Sequence, residues 1–191
     1  MSSPLPQMRK IAVFGNAGGG KSRLARQLAE ATGHPLYCLD KLAFRDGRYR
    51  PDAADGGRLP VDEFHRLHTG IIERDAWIAD GFGSVALTWQ RFAAADTLVY
   101  IDLPLTTHFR WVTNRLAAGL FHPPPGWPEN SPLWASTFSS YRNVWRCHRL
   151  LTPRYRQFVA DARPHKRVHH LKSAPEIAAF IRAVWQEQRG A

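Results

Sequence analysis

The feature that most restricts the fold of this chain is a glycine-rich octapeptide between a short apolar run and an amphipathic helical pattern. The apolar run covers residues 11–14, and the helical pattern covers residues 21–32 and ends at Gly33. The octapeptide matches G-x-x-x-x-G-K-[ST] at every fixed position; it reads Gly15-Asn16-Ala17-Gly18-Gly19-Gly20-Lys21-Ser22. Strand, loop and helix in this order predict a phosphate-binding loop, the Walker A motif.

Each residue type in this loop suits the binding of phosphate. Glycines let the backbone curl so that its N–H groups point inward, and the helix that begins at Lys21 adds the positive end of its dipole. Lys21 is expected to contact the β- and γ-phosphates, and the Ser22 hydroxyl to ligate Mg²⁺. We therefore predict that the loop, with Arg23 directly after it, binds ATP or GTP together with Mg²⁺.

Strand-like and helix-like segments alternate along the rest of the chain. Apolar runs predict further strands at residues 35–39, 76–79, 98–101 and 167–171. Helical patterns predict helices at residues 61–74, 84–95, 104–118, 134–151, 154–162 and 175–188, and residues 45–60 and 121–132 are expected to be loops. Short apolar strands between helices are typical of a parallel sheet covered on both faces. The length of 191 residues predicts one three-layer α/β/α domain.

Acidic residues follow three of the predicted strands, and ligands of open α/β sheets bind at the carboxyl ends of strands. Asp102 ends an apolar strand like a Walker B aspartate, so we predict that it supports Mg²⁺ opposite Ser22; the alternative is an ordinary helix-capping residue. Asp40 either binds the hydroxyl of an acceptor, acts as a base, supports Mg²⁺ or only forms a turn. Asp80 and Gly81 are expected to contact the acceptor, where glycine permits close approach, or to form a tight turn.

Several segments resemble one branch of P-loop proteins. Besides the loop they are Tyr37-Cys38-Leu39-Asp40, Trp77-Ile78-Ala79-Asp80-Gly81 and Ala95-Asp96-Thr97-Leu98-Val99-Tyr100-Ile101-Asp102-Leu103-Pro104. From Lys10 to about Leu171 the chain resembles adenylate-kinase-like proteins, above all the small bacterial topology modulation proteins (FlaR-type). The resemblance implies a nucleotide- or shikimate-kinase-like fold with a five-stranded parallel sheet, a helical lid at about residues 110–155, and the binding of ATP and Mg²⁺.

One departure from adenylate kinases bears on the acceptor. Those enzymes carry Gly-Phe-Pro-Arg after the third strand, where the arginine holds the phosphate of the acceptor nucleotide; here the run is Gly81-Phe82-Gly83-Ser84. The uncharged Ser84 argues against classical phosphorylation of AMP. Asp40-Lys41-Leu42 is in turn similar to the segment with which shikimate-kinase-type enzymes bind a hydroxylated acceptor. Two classes of acceptor are therefore compatible with the sequence, a nucleoside monophosphate and a hydroxylated metabolite.

Arginines that could stabilise the transferring phosphoryl group lie beyond the fourth strand. Arg110 and Arg115 share one predicted helix, and the resembling proteins also carry an arginine at the position of Arg115. Arg142, Arg146 and Arg149 fall at helical spacings of four and three, so they share a face that could close over the nucleotide. An arginine supplied by a lid accelerates phosphoryl transfer by ~10³–10⁵. The alternative is a solvated basic face.

The charge of the chain raises a second class of function. The formal net charge is +10, which raises nucleic acid as a partner. No block of five like charges and no helix-turn-helix or RNA-binding signature supports that partner. A kinase that transfers the γ-phosphate of ATP to a small acceptor is therefore preferred, and a nucleotide-binding regulator or ATPase linked to DNA topology is the alternative. A GTP-dependent switch is disfavoured because no N-K-x-D segment occurs.

The remaining composition limits the location of the protein. No apolar run reaches the ~18 residues of a membrane span, and the first seven residues lack the layout of a signal peptide. Cys38 and Cys147 have no C-x-x-C partners, so neither a disulfide framework nor a zinc site is expected. These features predict a cytoplasmic protein and leave its oligomeric state open.

Overall fold

The computed structural model describes residues 8–50, 52–119 and 133–190, and the side chains of all of these except 115–119 and 133–138. The strands are β1 (Lys10–Gly15), β2 (Leu36–Cys38), β3 (Trp77–Asp80), β4 (Thr97–Ile101) and β5 (Arg167–Leu171). The helices are α1 (Lys21–Thr32), α2 (Leu39–Leu42), α3 (Val61–Ile72), α4 (Val85–Ala94), α5 (Leu105–Gly119), α6 (Leu133–Leu150), α7 (Thr152–Ala162) and α8 (Ala174–Arg189). The predicted alternation of strands and helices is confirmed.

The five strands form one parallel sheet in the order β2-β3-β1-β4-β5. Because parallel neighbours need a crossover connection, the helices lie on the two faces of the sheet. Strand β1 is central, and the chain leaves it toward one edge for β2 and β3 and toward the other for β4 and β5. Its carboxyl end is thus the topological switch point at which open α/β sheets form their ligand crevice.

Alternation along β1 shows how both faces of the sheet are covered. Ala12 and Phe14 belong to one buried cluster, which includes side chains of α3, α4 and α7. Ile11 and Val13 point the other way into a second cluster, formed with α1 and α8. Since successive residues of a strand face opposite sides, a continuous apolar run is what a doubly covered strand requires. The three-layer α/β/α architecture is therefore confirmed.

Asp96, within the Ala95-Asp96-Thr97 segment of the resemblance, has a structural role. Its Oδ2 accepts hydrogen bonds from the backbone N–H groups of Arg9 (3.1 Å) and Lys10 (2.8 Å), and its Oδ1 accepts one from the Thr97 hydroxyl at 2.7 Å. The carboxylate thus joins the first residues of β1 and β4 and satisfies backbone donors at the edge of the ladder. The segment holds the sheet at the end opposite the phosphate loop.

Two local predictions differ from the structure, and a third is not tested by it. The second strand ends at Cys38, so Asp40 lies in the short helix α2 and not at the end of a strand. Within residues 45–60, a 3₁₀ turn covers Arg45–Gly47 and a bridge joins Phe44 to Arg58. The predicted loop at residues 121–132 lies outside the described residues. No helix in the described part of the chain is long and apolar enough to cross a membrane.

Candidate functional site

The glycine-rich loop follows β1 and leads directly into α1, as the motif requires. Gly20 caps α1 in the left-handed conformation, with φ 78°. Gly18 also has a positive φ of 67°, and a Cβ added there would lie 2.6 Å from Val112 Cγ2. Any side chain at residue 18 would therefore be strained and would collide with α5. The Lys21 ammonium donates to the Asn16 carbonyl at 2.9 Å, which holds it against the loop.

Helices α5 and α6 pack directly on this loop. His108 Nδ1 donates to the Ala17 carbonyl at 2.9 Å, and the Asn16 side-chain amide donates to the Val144 carbonyl at 3.0 Å. Burial, reinforced by the charge of Lys21, lowers the pKa of His108 to about 4, so its ring is neutral at pH 7. The loop is consequently hydrogen-bonded to α5, which follows β4, and to α6, which lies within the predicted lid at residues 110–155.

Asp80, at the end of β3, is the carboxylate that contacts the loop. It is 3% exposed, and the neighbouring Lys21 ammonium and Ser22 hydroxyl both favour its charged form. Burial raises its pKa above the ordinary value, more than Lys21 and Ser22 lower it. Its Oδ1 is buried and has no hydrogen-bond partner. A hydroxyl beside a carboxylate oxygen that lacks a partner is a donor set that suits Mg²⁺.

Asp102, the predicted Walker B aspartate, is engaged elsewhere. Its Oδ2 accepts from Arg156 Nε and from His170 Nε2, both at 2.8 Å, and its Oδ1 accepts from Arg156 Nη2 at 3.0 Å. Burial alone would raise its pKa, but these hydrogen bonds more than offset that effect and hold the pKa below the ordinary value. Asp102 also borders a different cavity, which no described residue of the phosphate loop lines. This geometry disfavours Asp102 as the partner of Ser22.

Asp40 lies beside Asp80 across the turn after β3. Its Oδ1 accepts from the Phe82 backbone N–H at 3.2 Å, and the side chain is exposed. Gly81 has φ +105°, and a Cβ there would lie 3.0 Å from the Asp40 backbone N and 3.1 Å from its Oδ2. A side chain at residue 81 would therefore meet Asp40, while Gly81 itself borders the cavity that Asp40 lines, and its predicted contact with an acceptor stays a prediction. Gly81 is needed so that Asp40 can approach the end of β3.

One cavity of about 900 Å³ connects the phosphate loop to Asp40. From the loop side it is lined by Ala17 and Lys21, and from the side of β3 and α4 by Asp40, Phe82, Thr88 and Arg91. Phe44, Tyr49 and Arg58, all within residues 43–59, form a further part of the lining, and α6 contributes Asn143, Arg146 and Cys147. A phosphate donor bound at the loop and an acceptor beside Asp40 would thus share one chamber.

The arginines predicted from sequence are not all at this chamber. All four described arginines are exposed; Arg146 lines the chamber, and Arg110, Arg142 and Arg149 do not belong to its lining. The side chain of Arg115 lies outside the described residues, and so its predicted role stays a prediction. Arg23 is exposed on the first turn of α1. Of the predicted basic face on α6, the structure brings only Arg146 to the cavity.

Arg91 is a residue of this site that the sequence patterns did not indicate. Arg91 is 1% exposed, it lines the cavity, and its Nη2 donates to the Gly81 carbonyl at 2.9 Å. Its signal in the sequence is a charged residue in register with the apolar face of α4. Ser84, at the position of the adenylate-kinase arginine, instead caps α4 by accepting from the Leu87 backbone N–H at 3.3 Å.

Comparison with known proteins identifies the architecture. No protein-family model and no curated protein matches this chain. Shikimate kinase from Acinetobacter baumannii, solved in complex with shikimate, is similar with a TM-score of 0.56 and 16% identity, and the match covers 100% of this chain and 98% of that chain. The chain has the shikimate-kinase-like P-loop fold.

Other solved structures are similar over most of their length but less closely. A gluconokinase from Sinorhizobium meliloti 1021 has a TM-score of 0.44 and 17% identity, covering 95% of this chain and 92% of that chain. Deoxyadenosine kinase from M.mycoides has a TM-score of 0.46 and 11% identity, covering 95% of this chain and 99% of that chain. At these identities the similarity concerns the fold, and the predicted relation to topology modulation proteins stays a prediction.

Proposed function

We propose that this protein is an ATP-dependent kinase that transfers the γ-phosphate to an oxygen of a small acceptor. The observation that carries the proposal is the single chamber that joins Lys21 of the phosphate loop to Asp40. A protein that only senses a nucleotide has no need of a second polar compartment open to the γ-phosphate position. Phosphoryl transfer needs one, because catalysis rests on positioning the two oxygens in line and on stabilising charge.

On the donor side, the residues of the loop fit a triphosphate with Mg²⁺. Residues 15–22 supply backbone N–H groups and Lys21 supplies a positive charge, while the hydroxyl of Ser22 and the carboxylate of Asp80 fit Mg²⁺. When bound, the ion would neutralise charge on the β- and γ-phosphates. We propose Asp80 as its carboxylate partner in place of Asp102. Arg146 is the candidate for the arginine that faces the γ-phosphate, and Arg115 remains a second candidate.

On the acceptor side, Asp40 is the group that would orient the attacking oxygen. Its Oδ1 is held by the Phe82 N–H, which leaves Oδ2 to accept a hydrogen bond from an acceptor hydroxyl. In the reaction that oxygen bonds to the γ-phosphorus, the bond from phosphorus to the bridging oxygen of ADP breaks, and the hydroxyl proton passes to Asp40. The acceptor remains either a hydroxylated metabolite or a nucleoside monophosphate, and the same site could serve within a topology-modulation-type protein.

The alternative is a nucleotide-binding regulator or ATPase linked to DNA. The net charge of +10 favours it, although the basic residues of the chamber face a cavity and not an extended surface. The two functions differ in their dependence on salt, since DNA affinity falls steeply as salt rises. They also differ in turnover, because a kinase forms ADP in proportion to its acceptor.

The deciding experiment measures ADP formed from Mg²⁺-ATP against nucleoside monophosphates, nucleosides and hydroxylated metabolites, with Lys21→Ala as the inactive control. ADP that depends on one class of acceptor, and that disappears in the variant, supports the kinase. ATP binding without acceptor-dependent ADP across the panel, combined with salt-sensitive DNA binding, would instead establish the regulator.

A further inference from the structure

The acceptor side of the chamber carries more positive than negative charge. Three arginines line the chamber as a whole, Arg58, Arg91 and Arg146, while Asp40 is the only carboxylate among the described residues of the lining. With Lys21 and Arg146 assigned to the triphosphate, Arg58 and Arg91 share the lining with Asp40; Asp80, whose charge also acts on Arg91, is assigned to Mg²⁺. Complementary charge is how a site selects and orients its ligand, so the excess calls for an anionic group on the acceptor.

Of these two arginines, Arg91 gives the stronger evidence for an anionic ligand because it is buried. A guanidinium taken out of water is costly unless it is paired, yet the hydrogen bonds of Arg91 go to neutral groups. Nη2 donates to the Gly81 carbonyl at 2.9 Å, and Nη1 donates to His68 Nε2 at 3.4 Å. Its Nε is buried without a partner, and no carboxylate forms a salt bridge with it in the described part of the chain.

Arg91 is charged at neutral pH, and its partner His68 does not neutralise it. Burial lowers the pKa of Arg91 to about 10, which is still well above 7. Burial, with the charge of Arg91, lowers the pKa of His68 to about 4, so His68 is neutral. A neutral ring that accepts at Nε2 carries its proton on Nδ1. His68 therefore positions the guanidinium without neutralising it, and the positive charge is left for a ligand.

The rest of the lining limits the shape of that ligand. Arg58 stacks on Phe44 with 4.6 Å from its guanidinium carbon to the ring centroid, and Phe44 meets Tyr49 edge-on at 6.2 Å. Phe82 and Val85 are exposed apolar residues on the other side of the cavity. The compartment thus combines apolar walls, one hydroxyl-binding carboxylate and two arginines.

Resting on the proposed kinase function, we propose that the acceptor is a hydroxylated anion, with its hydroxyl at Asp40 and its carboxylate or phosphate group recognised by Arg91. Arg91 then determines specificity, and Arg58 supports it from the segment between α2 and α3. An arginine serves either anion, because its planar fork donates two hydrogen bonds to a carboxylate or a phosphate. Carboxylate and phosphate acceptors are therefore compared in one experiment.

The test uses matched pairs of probes that differ in the anionic group. Gluconate is compared with sorbitol for the carboxylate arm, and glucose 6-phosphate with glucose and AMP with adenosine for the phosphate arm. Binding to the full chain is measured by calorimetry, and ADP formation from Mg²⁺-ATP is measured in parallel. We expect the anion of at least one pair to bind roughly tenfold or more tightly than its neutral partner, as for hydrogen bonds to charged groups.

Variants at residue 91 separate recognition from support of the fold. In Arg91→Gln the preference for the anion within that pair should fall to about one to threefold, with the neutral partner little changed, and Arg91→Lys should restore part of it. A purely structural role would weaken both members of the pair equally. Arg182→Gln, an exposed arginine on α8, is the matched control and should keep the full preference.

The outcomes for the two proposals are distinguishable. ADP formed with neutral acceptors only, or an anion preference that survives in Arg91→Gln with the fold intact by thermal melting, overturns the anionic acceptor and leaves the kinase standing. No ADP with any acceptor, while anion binding still depends on Arg91, overturns the kinase and keeps the anion site. Equal binding of both members in every pair overturns the anion site.

Discussion

Replacing Asp80 by asparagine should stabilise the ligand-free protein and at the same time remove the effect of Mg²⁺ on it. The carboxylate is 3% exposed, burial raises its pKa, and its Oδ1 has no hydrogen-bond partner. A carboxyl whose native pKa is raised contributes stability that is lost as pH rises above the unfolded value. At neutral pH the burial of this carboxyl group therefore opposes folding unless a cation is bound.

The expected change in unfolding free energy follows from the buried Oδ1 of Asp80, which has no hydrogen-bond partner. Such a group costs about 1–3 kcal/mol, and since the amide keeps a polar atom in the same place, we expect the lower end, a gain of about 1 kcal/mol in unfolding free energy. For a chain of 191 residues that corresponds to a Tm higher by about 2–4 °C. Mg²⁺-dependent tightening of ATP binding should disappear, and turnover should fall by about 10²–10³.

Asp102→Asn is the matched control and should show the opposite signs. It removes the negative charge and one of the two oxygens that accept from Arg156 and His170, but because Arg156 is 55% exposed the loss is screened by solvent, and we expect a decrease of about 1 kcal/mol. The Mg²⁺ effect should persist. The measurements are thermal melts without ligand and ATP titrations with Mg²⁺ or with EDTA. A destabilised Asp80→Asn that keeps the Mg²⁺ effect, beside an Asp102→Asn that loses it, would refute the reasoning and return the role to Asp102.

Three further predictions concern the loop, the turn after β3 and the buried histidines. Lys21→Ala should abolish tight ATP binding while the circular dichroism spectrum stays native; unchanged affinity in a titration would remove the assignment of the loop. Gly81→Ala should lower the unfolding free energy by about 1–3 kcal/mol, through a strained φ and contact with Asp40, and should reduce turnover with Asp40 displaced; a variant as stable and active as the wild type would contradict this. His68, His108 and His169 each have a native pKa lowered to about 4 from 6.5. Each therefore costs about 2 kcal/mol of unfolding free energy as the pH falls from 7 to 5. Between these pH values His169→Phe should lose about 2 kcal/mol less unfolding free energy than the wild type, measured by urea unfolding, and equal losses would count against a neutral His169.

The predicted lid at residues 110–155 can be tested by its response to a bound nucleotide. Asn16 of the loop bonds the Val144 carbonyl of α6, so nucleotide binding at the loop should change the protection of that helix. Hydrogen exchange with and without an ATP analogue should show altered rates within residues 110–155, and it should do so less in Asn16→Ala. Identical exchange across these residues would sink the lid hypothesis.

The local elements were predictable because their determinants are adjacent in the chain. The loop needs glycines, Lys21 and Ser22 within eight residues, and this spacing is visible in the sequence. The strands were equally visible as apolar runs, since a sheet covered on both faces demands them. The end of the second strand was misplaced by one residue, because Leu39 begins α2 where the apolar run alone suggested more strand.

The partners of the acidic residues were decided by tertiary structure alone. In the sheet order β2-β3-β1-β4-β5 both β3 and β4 flank β1, so Asp80 and Asp102 each end a neighbour of the loop. Only the folded chain brings Arg156 and His170, 54 and 68 residues away, onto Asp102 and leaves Asp80 with Ser22. The burial of Arg91 against His68 arises in the same way. The phosphate loop and the order of elements could be predicted from the sequence, because both depend on neighbours along the chain. The proposed Mg²⁺ carboxylate, Asp80, and the charge around Arg91 depend on distant side chains, which only the packing of the chain brings together.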